Sequence, residues 1–146
     1  MILDSINQEL KESLKNGDSE KVGVLRMLKS AIKNTEIEKQ ADFSKKDVVL
    51  TLRKEAKKRQ DSIKLFQDNG RQELANTEQR ELEIIQAFLP SAMSEDDLNV
   101  IIDQVVKETN AATISDMGRV MQAVMQKAGD AADGSMVSNL VRSRLQ

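Results

Sequence analysis

The sequence predicts an all-α protein: an N-terminal domain built on a long-helix hairpin, then a small C-terminal three-helix bundle. Three observations carry that expectation. One proline and six glycines interrupt 146 residues, and both residue types break helix interiors. The background is rich in leucine, lysine, glutamate and alanine, which are good helix formers. Apolar residues recur at three- and four-residue spacing, the period of a single helix face.

The elements follow from their punctuation. Asp4 and Ser19 read as N-caps of helices over about 4–16 and 19–40, with Gly17 as the left-handed residue between them. Ser44 with Asp47 three residues on resembles a capping box that opens a long helix over about 45–69. At 1.5 Å per residue that helix is roughly 37 Å long. Gly70 ends it. A fourth helix runs to about Leu89, where Pro90 stops it. Ser94 with Asp97 caps a fifth over about 95–109, Ser115 opens a sixth to about 128, and Asp133 opens the seventh.

The boundary falls in LPSAMS, 89–94, and separates an N-terminal domain over 1–90 from a C-terminal tail over 91–146. The first carries 17 basic and 16 acidic residues, the second 5 and 8. Overall charge is nearly balanced, at −2, so a generic nucleic-acid field is absent. Three phenylalanines without tyrosine or tryptophan disfavour stacking on single-strand bases. No cysteine and no histidine occur, which removes disulfides, Ser-His-Asp and Cys-His sites, and histidine-ligated zinc. No catalytic residue, metal ligand or cofactor is expected. No apolar run approaches the ~20 residues of a membrane span, and MILDSINQEL lacks the pattern of a secretory signal, so the expectation is a cytoplasmic protein without a membrane partner.

Polar residues interrupt two apolar stripes. On the long helix the stripe is Val49, Leu52, Ala56, Ile63 and Phe66, with Arg59 in its middle. On the next it is Leu74, Leu82, Ile85, Phe88 and Leu89, with Glu78 and Glu81 inside it. Folding back at Gly70 sets Arg59 opposite Glu81 with Glu78 a turn away. One reading is a carboxylate pair tuned by arginine for acid–base work. The other is an ion pair that pins the hairpin register. Register pinning is favoured, because it is the best-attested use of such pairs.

Basic residues cluster over 45–64, with eight lysines and arginines against three acids. Lys46, Arg53, Lys57 and Lys64 share one face, suited to a phosphate backbone or to an ordinary solvated surface. In the sixth segment Met117, Val120, Met121, Val124, Met125 and Ala128 form an apolar face. Gly118 borders it, where it would admit a neighbouring helix. Met136, Val137, Leu140 and Val141 form the corresponding face of the seventh. Such methionine-rich faces suit a small bundle's core or an adaptable partner. The turn between these helices holds Gly129, Asp130, Asp133 and Gly134. A helix N-terminus attracts anions, but Asp133 already occupies this one as N-cap and Asp130 adds a second negative charge. The residues describe a capped turn.

RMLKSAIKN (26–34), KKRQDSIKLFQDNGRQELA (57–75), ELEIIQAFLP (81–90) and DMGRVMQAVMQKAGDAADGSMVSNLVRSRL (116–145) together resemble the YqeY-like family. Its C-terminal part is similar to the tail domain of GatB, the tRNA-binding subunit of the bacterial glutamine-dependent aspartyl/glutamyl-tRNA amidotransferase. The resemblance covers essentially the whole chain. It implies a helical N-terminal domain and a helical tail that contacts tRNA away from the chemistry, without an active site of its own. The residues carried over are Gly118, Arg119, Met121, Asp133 and Gly134 in the tail, with Lys127 nearby, and Arg26, Lys29, Asn34, Arg59, Arg71 and Glu81 in the N-terminal domain. The family's loop reads glycine, a basic residue, alanine, then aspartate or asparagine. Here those positions are Asp130, Ala131, Ala132 and Asp133, so the basic phosphate contact is missing.

The resemblance and the basic face imply a translation-linked accessory protein that binds tRNA, with RNA candidates Lys46, Arg53, Lys57, Lys64, Arg119 and Lys127. An aminoacyl-tRNA synthetase or an amidotransferase subunit is the corresponding protein partner. The alternative is a protein–protein adaptor. A stand-alone carbon–nitrogen ligase using glutamine as amido-N donor comes last, since no cysteine nucleophile, phosphate loop or triad is present.

Overall fold

The computed structural model describes residues 1–90 and 93–146; Ser91 and Ala92, inside the expected LPSAMS boundary, and the side chain of Asp130 lie outside the described residues. Seven α-helices and no strand form among the described residues: α1 Ile2–Asn16, α2 Ser19–Lys39, α3 Lys45–Asp68, α4 Gln72–Gln86, α5 Glu95–Thr109, α6 Met117–Ala128 and α7 Gly134–Leu145. Contacts divide the chain into two compact units, Met1–Leu89 and Pro90–Gln146.

Helix ends explain where the chain turns. Gly17 takes φ +71°, a left-handed conformation that glycine adopts without a Cβ penalty, and closes α1. Asp18, rather than Ser19, caps α2 by accepting from the Lys21 N–H at 3.1 Å. Asp4 lies inside the first turn of α1, whose N-cap is Met1. An acid there still complements the helix dipole. The Asp47 carboxylate accepts from the Ser44 backbone N–H at 2.8 Å and from its hydroxyl at 3.0 Å, fixing the start of α3. Ser94 accepts from the Asp97 N–H at 3.1 Å to open α5. The sixth helix starts later than expected. Ile114–Asp116 forms a 3₁₀ turn, with the Asp116 carboxylate accepting from the Ala112 and Thr113 N–H groups, and α6 proper begins at Met117.

The first unit is two helical hairpins. α1 and α2 turn at Gly17, α3 and α4 near Gly70, and both bury apolar stripes in one core: Ile6, Val24, Leu25, Leu28, Ile32, Leu52, Ala56, Leu82 and Ile85. Three contacts set α2 antiparallel to α3 in one register. Thr35 meets Thr51 at 3.0 Å, Lys39 pairs with Asp47, and an Arg59 Nη2–H points at the Met27 sulfur at 3.8 Å. Leu74, expected in the stripe of α4, is exposed. The buried phase of that helix runs through Ala75, Leu82 and Ile85, one residue out of step with it.

The second unit packs α5, α6 and α7 around Leu98, Ile102, Val105, Val120, Val124, Val137 and Val141. Met117, Met121, Met125 and Leu140 pack against that core while half-buried. Met136 faces solvent instead. The expectation for Gly118 is overturned as well. It is exposed, and a Cβ built on it meets nothing within 4 Å, so no helix of the unit exploits its small size. Gly118→Ala is therefore expected to raise stability, by about 0.5–1 kcal/mol from helix propensity. A thermal melt that moved down instead would reveal a close approach that the packing does not contain.

Candidate nucleic-acid interface

The long helix divides its faces sharply. Val49, Leu52 and Ala56 turn into the core, and this orientation sends Lys46, Lys57 and Lys64 outward to solvent, with Arg53 half-buried on the same line. Lys54 flanks them, also exposed. Lys57 is paired with Asp61 one turn on, at 3.3 Å. Lys46, Lys54 and Lys64 make no ion pair among the described residues. Along the helix, Lys46 to Lys64 spans about 27 Å at 1.5 Å per residue. The arrangement can neutralise a row of anionic groups.

A second edge of α3 carries polar residues that the apolar pattern did not single out. Asp47, Thr51 and Glu55, four residues apart, are buried, the first two against Lys39 and Thr35 of α2. The Lys39 ammonium, donating to Asp47, and the Ser44 N–H hold its carboxyl below the usual range despite burial. Glu55 takes Lys58 at 3.1 Å. Their four-residue period beside an apolar stripe was the available signal, but it is also the pattern of an ordinary wet face.

The structure brings Arg59, Glu78 and Glu81 together between α3 and α4. Arg59 Nε lies 2.9 Å from Glu81 Oε2 and 3.5 Å from Glu78 Oε2, with all three side chains a quarter exposed or less. Arg59 Nε and Glu78 Oε2 are buried atoms without a well-directed hydrogen bond among the described residues. One guanidinium thus serves two carboxylates. Burial first, and the Glu81 charge second, push the Glu78 carboxyl up, with Arg59 opposing them.

The remaining positions separate. In the second unit Arg119 is bound to Asp116 at 2.9 Å, and Lys127 reaches both Glu108 oxygens at 2.9 and 3.0 Å. The Lys127 ammonium holds the Glu108 carboxyl below its ordinary value, and backbone N–H donors do the same for Asp116. Both tail cations are already compensated. Asp133 accepts from the Ser135 N–H at 2.9 Å as N-cap of α7, with Gly134 as its first residue. Met121 belongs to the core's margin. On α2, Arg26 and Asn34 are exposed and Lys29 half-buried; Arg71 is exposed at the N-cap of α4. The first unit also has an open groove of about 860 Å³ over Ile2, Ile84 and Phe88. Its rim cations, Lys21 and Arg80, are held by Glu9 and Glu20.

Among the described residues no helix is long and apolar enough to cross a membrane. A family model described as "Yqey-like protein" matches residues 3–145, nearly the whole chain, and the chain belongs to that family. No curated protein matches it.

The shared guanidinium makes two nearly identical substitutions diverge. Glu81→Gln is expected to destabilise by about 1–3 kcal/mol, the range for a charged hydrogen-bonding group lost from a half-buried site. Glu78→Gln removes a carboxylate that is costly to keep charged and should leave the protein as stable or more so at neutral pH. The sign follows from the folded state raising this carboxyl: charge here opposes folding, and the opposition fades as pH falls through the raised value. The advantage of glutamine at 78 should therefore shrink on acidification. Urea melts of both variants between pH 7 and pH 4 check this.

Proposed function

We propose that this member of the YqeY-like family is an RNA-binding accessory protein linked to translation, with tRNA as its RNA and no chemistry of its own. The observation that carries the reading is the outer face of α3, where Lys46, Arg53, Lys57 and Lys64 align with Lys54 beside them. Three of these lysines make no ion pair among the described residues. The resemblance of the chain to a tRNA-recognition tail supports tRNA as the RNA. Contacts of this kind go to phosphates and position a nucleic acid without reading its sequence.

The assignment moves the contact from the tail to the long helix. Arg119 and Lys127 would first have to leave their carboxylates, and the turn at 130–133 has no cation of its own. A protein–protein adaptor is a second reading, favoured by one observation: Ile37 and Leu50 are exposed on the pair of helices that bears the basic face.

Fluorescence anisotropy with total tRNA tests the proposal. Four phosphate contacts should weaken binding about a hundredfold between 50 and 200 mM salt. Replacing Lys46, Lys57 and Lys64 with glutamate should abolish association, while Arg119→Glu should change it less than threefold (an estimate of order, from screened surface charge). Absence of binding at either salt, or binding indifferent to the α3 lysines, refutes the assignment.

A further inference from the structure

Two exposed surfaces in this chain have opposite local charge, and each carries an exposed apolar residue. On the first unit, Leu50 is 58% exposed at the centre of the basic face of α3, with Lys46 and Lys54 one turn to either side. Ile37 of α2 is 60% exposed. The antiparallel register places it between the levels of the Thr35–Thr51 and Lys39–Asp47 contacts, where Leu50 also lies. Lys33, one turn before Ile37, is held by Glu36 at 3.0 Å, so the local excess of charge comes from α3. On the second unit, Val100 of α5 is 68% exposed, with Asp96 and Asp97 one turn before it. Asp103, one turn after, is taken by Arg144 at 2.8 Å, and Lys107 lies two turns on. Asp96 and Asp97 make no ion pair among the described residues.

We propose that the α5 face of one molecule docks on the α2–α3 face of a second copy, with Val100 against Leu50 and Ile37, with Asp96 and Asp97 beside one of the two lysines that flank Leu50, Lys46 or Lys54, and with the Asp103 side of Val100 toward the other. Charge complementarity selects the occupant: α5 supplies an acidic first turn beside an exposed apolar residue, and the receiving face supplies cations around apolar residues. Opposed charges steer such encounters and fix their register more than they tighten them. The contact is therefore weak and salt-sensitive. It also covers Lys46, so self-association and occupation of the basic face by RNA compete, although the contact itself does not depend on the RNA reading.

Sedimentation velocity of the full chain over a range of concentrations tests it. Wild type should associate reversibly, about tenfold more weakly at 500 than at 50 mM salt as the charges are screened. Lys46→Glu with Lys54→Glu should be monomeric, and so should Asp96→Lys with Asp97→Lys, because each sets like charges face to face. Mixed in equal amounts, the two variants should associate again, since each face then meets its opposite. Leu50→Ser and Val100→Ser weaken association without altering charge, and circular dichroism melts confirm that each variant is folded. A wild type that stays monomeric throughout, or folded charge variants that do not recover on mixing, overturns the proposal.

Discussion

The Arg59 guanidinium, held between Glu81 and Glu78, is the constraint on which the first unit depends. Apolar stripes alone do not choose a register, because leucine on leucine is nearly as favourable one turn away. A half-buried charge is different. Sliding α4 by a turn would leave Arg59 with one carboxylate in reach in place of two, a loss that an apolar contact does not suffer. With α3 and α4 locked, Leu52, Ala56, Leu82 and Ile85 close on the α1–α2 hairpin as one core. The orientation of α3 that buries those residues also points its lysines outward. The outer basic face is a geometric consequence of the inner ion pair.

Each unit holds some of its cations in ion pairs and leaves others without one. In the second, Arg119, Lys127 and Arg144 are each taken by a carboxylate, while Lys107 and Arg142 make no ion pair among the described residues. Exposed pairs contribute little stability, but they remove cationic sites from circulation. In the first, Lys21, Lys39 and Arg80 tie helices together, while Lys46, Lys54 and Lys64 do no such work. A nearly neutral chain can thus display a local field. The groove over Ile2, Ile84 and Phe88 lacks that property, because Lys21 and Arg80 on its rim are held by Glu9 and Glu20. Nothing distinguishes it as a site.

Much of this was legible from residue order. The capping signals at Ser44, Ser94 and Asp133 are local, and each acts where its spacing indicates. The Arg59–Glu81 contact was legible because a hairpin with a short turn leaves little freedom in pairing. The failures have a common cause. Leu74 and Met136 differ from their buried neighbours only in helical phase, and a shift of one residue rotates a side chain by 100°. Gly118 called for a partner helix that tertiary packing does not provide. Asp47, Thr51 and Glu55 were hidden because burial of a polar edge depends on what α2 brings opposite it. Ion pairing of Lys127 was likewise beyond reach, whereas Asp116 and Arg119 stand at the three-residue spacing that a helix pairs. Lys127 finds Glu108 across the turn between helices, at a separation no periodicity encodes.

Like charges at three- and four-residue spacing destabilise a helix by about 0.2–0.5 kcal/mol per pair at low ionic strength. Arg53 with Lys57, Lys54 with Lys57 and Lys54 with Lys58 all stand at such spacings on α3. Asp61 and Glu55 relieve part of this repulsion through Lys57 and Lys58. The fold offsets the rest with apolar contacts on the opposite face and gains nothing from the outer lysines in return. The same holds for Leu50, whose exposed side chain contributes no burial where it stands. Stability of the isolated unit accounts for the inner half of α3. The outer half carries unspent charge around an uncovered leucine, a solvated surface left open to the partners proposed above.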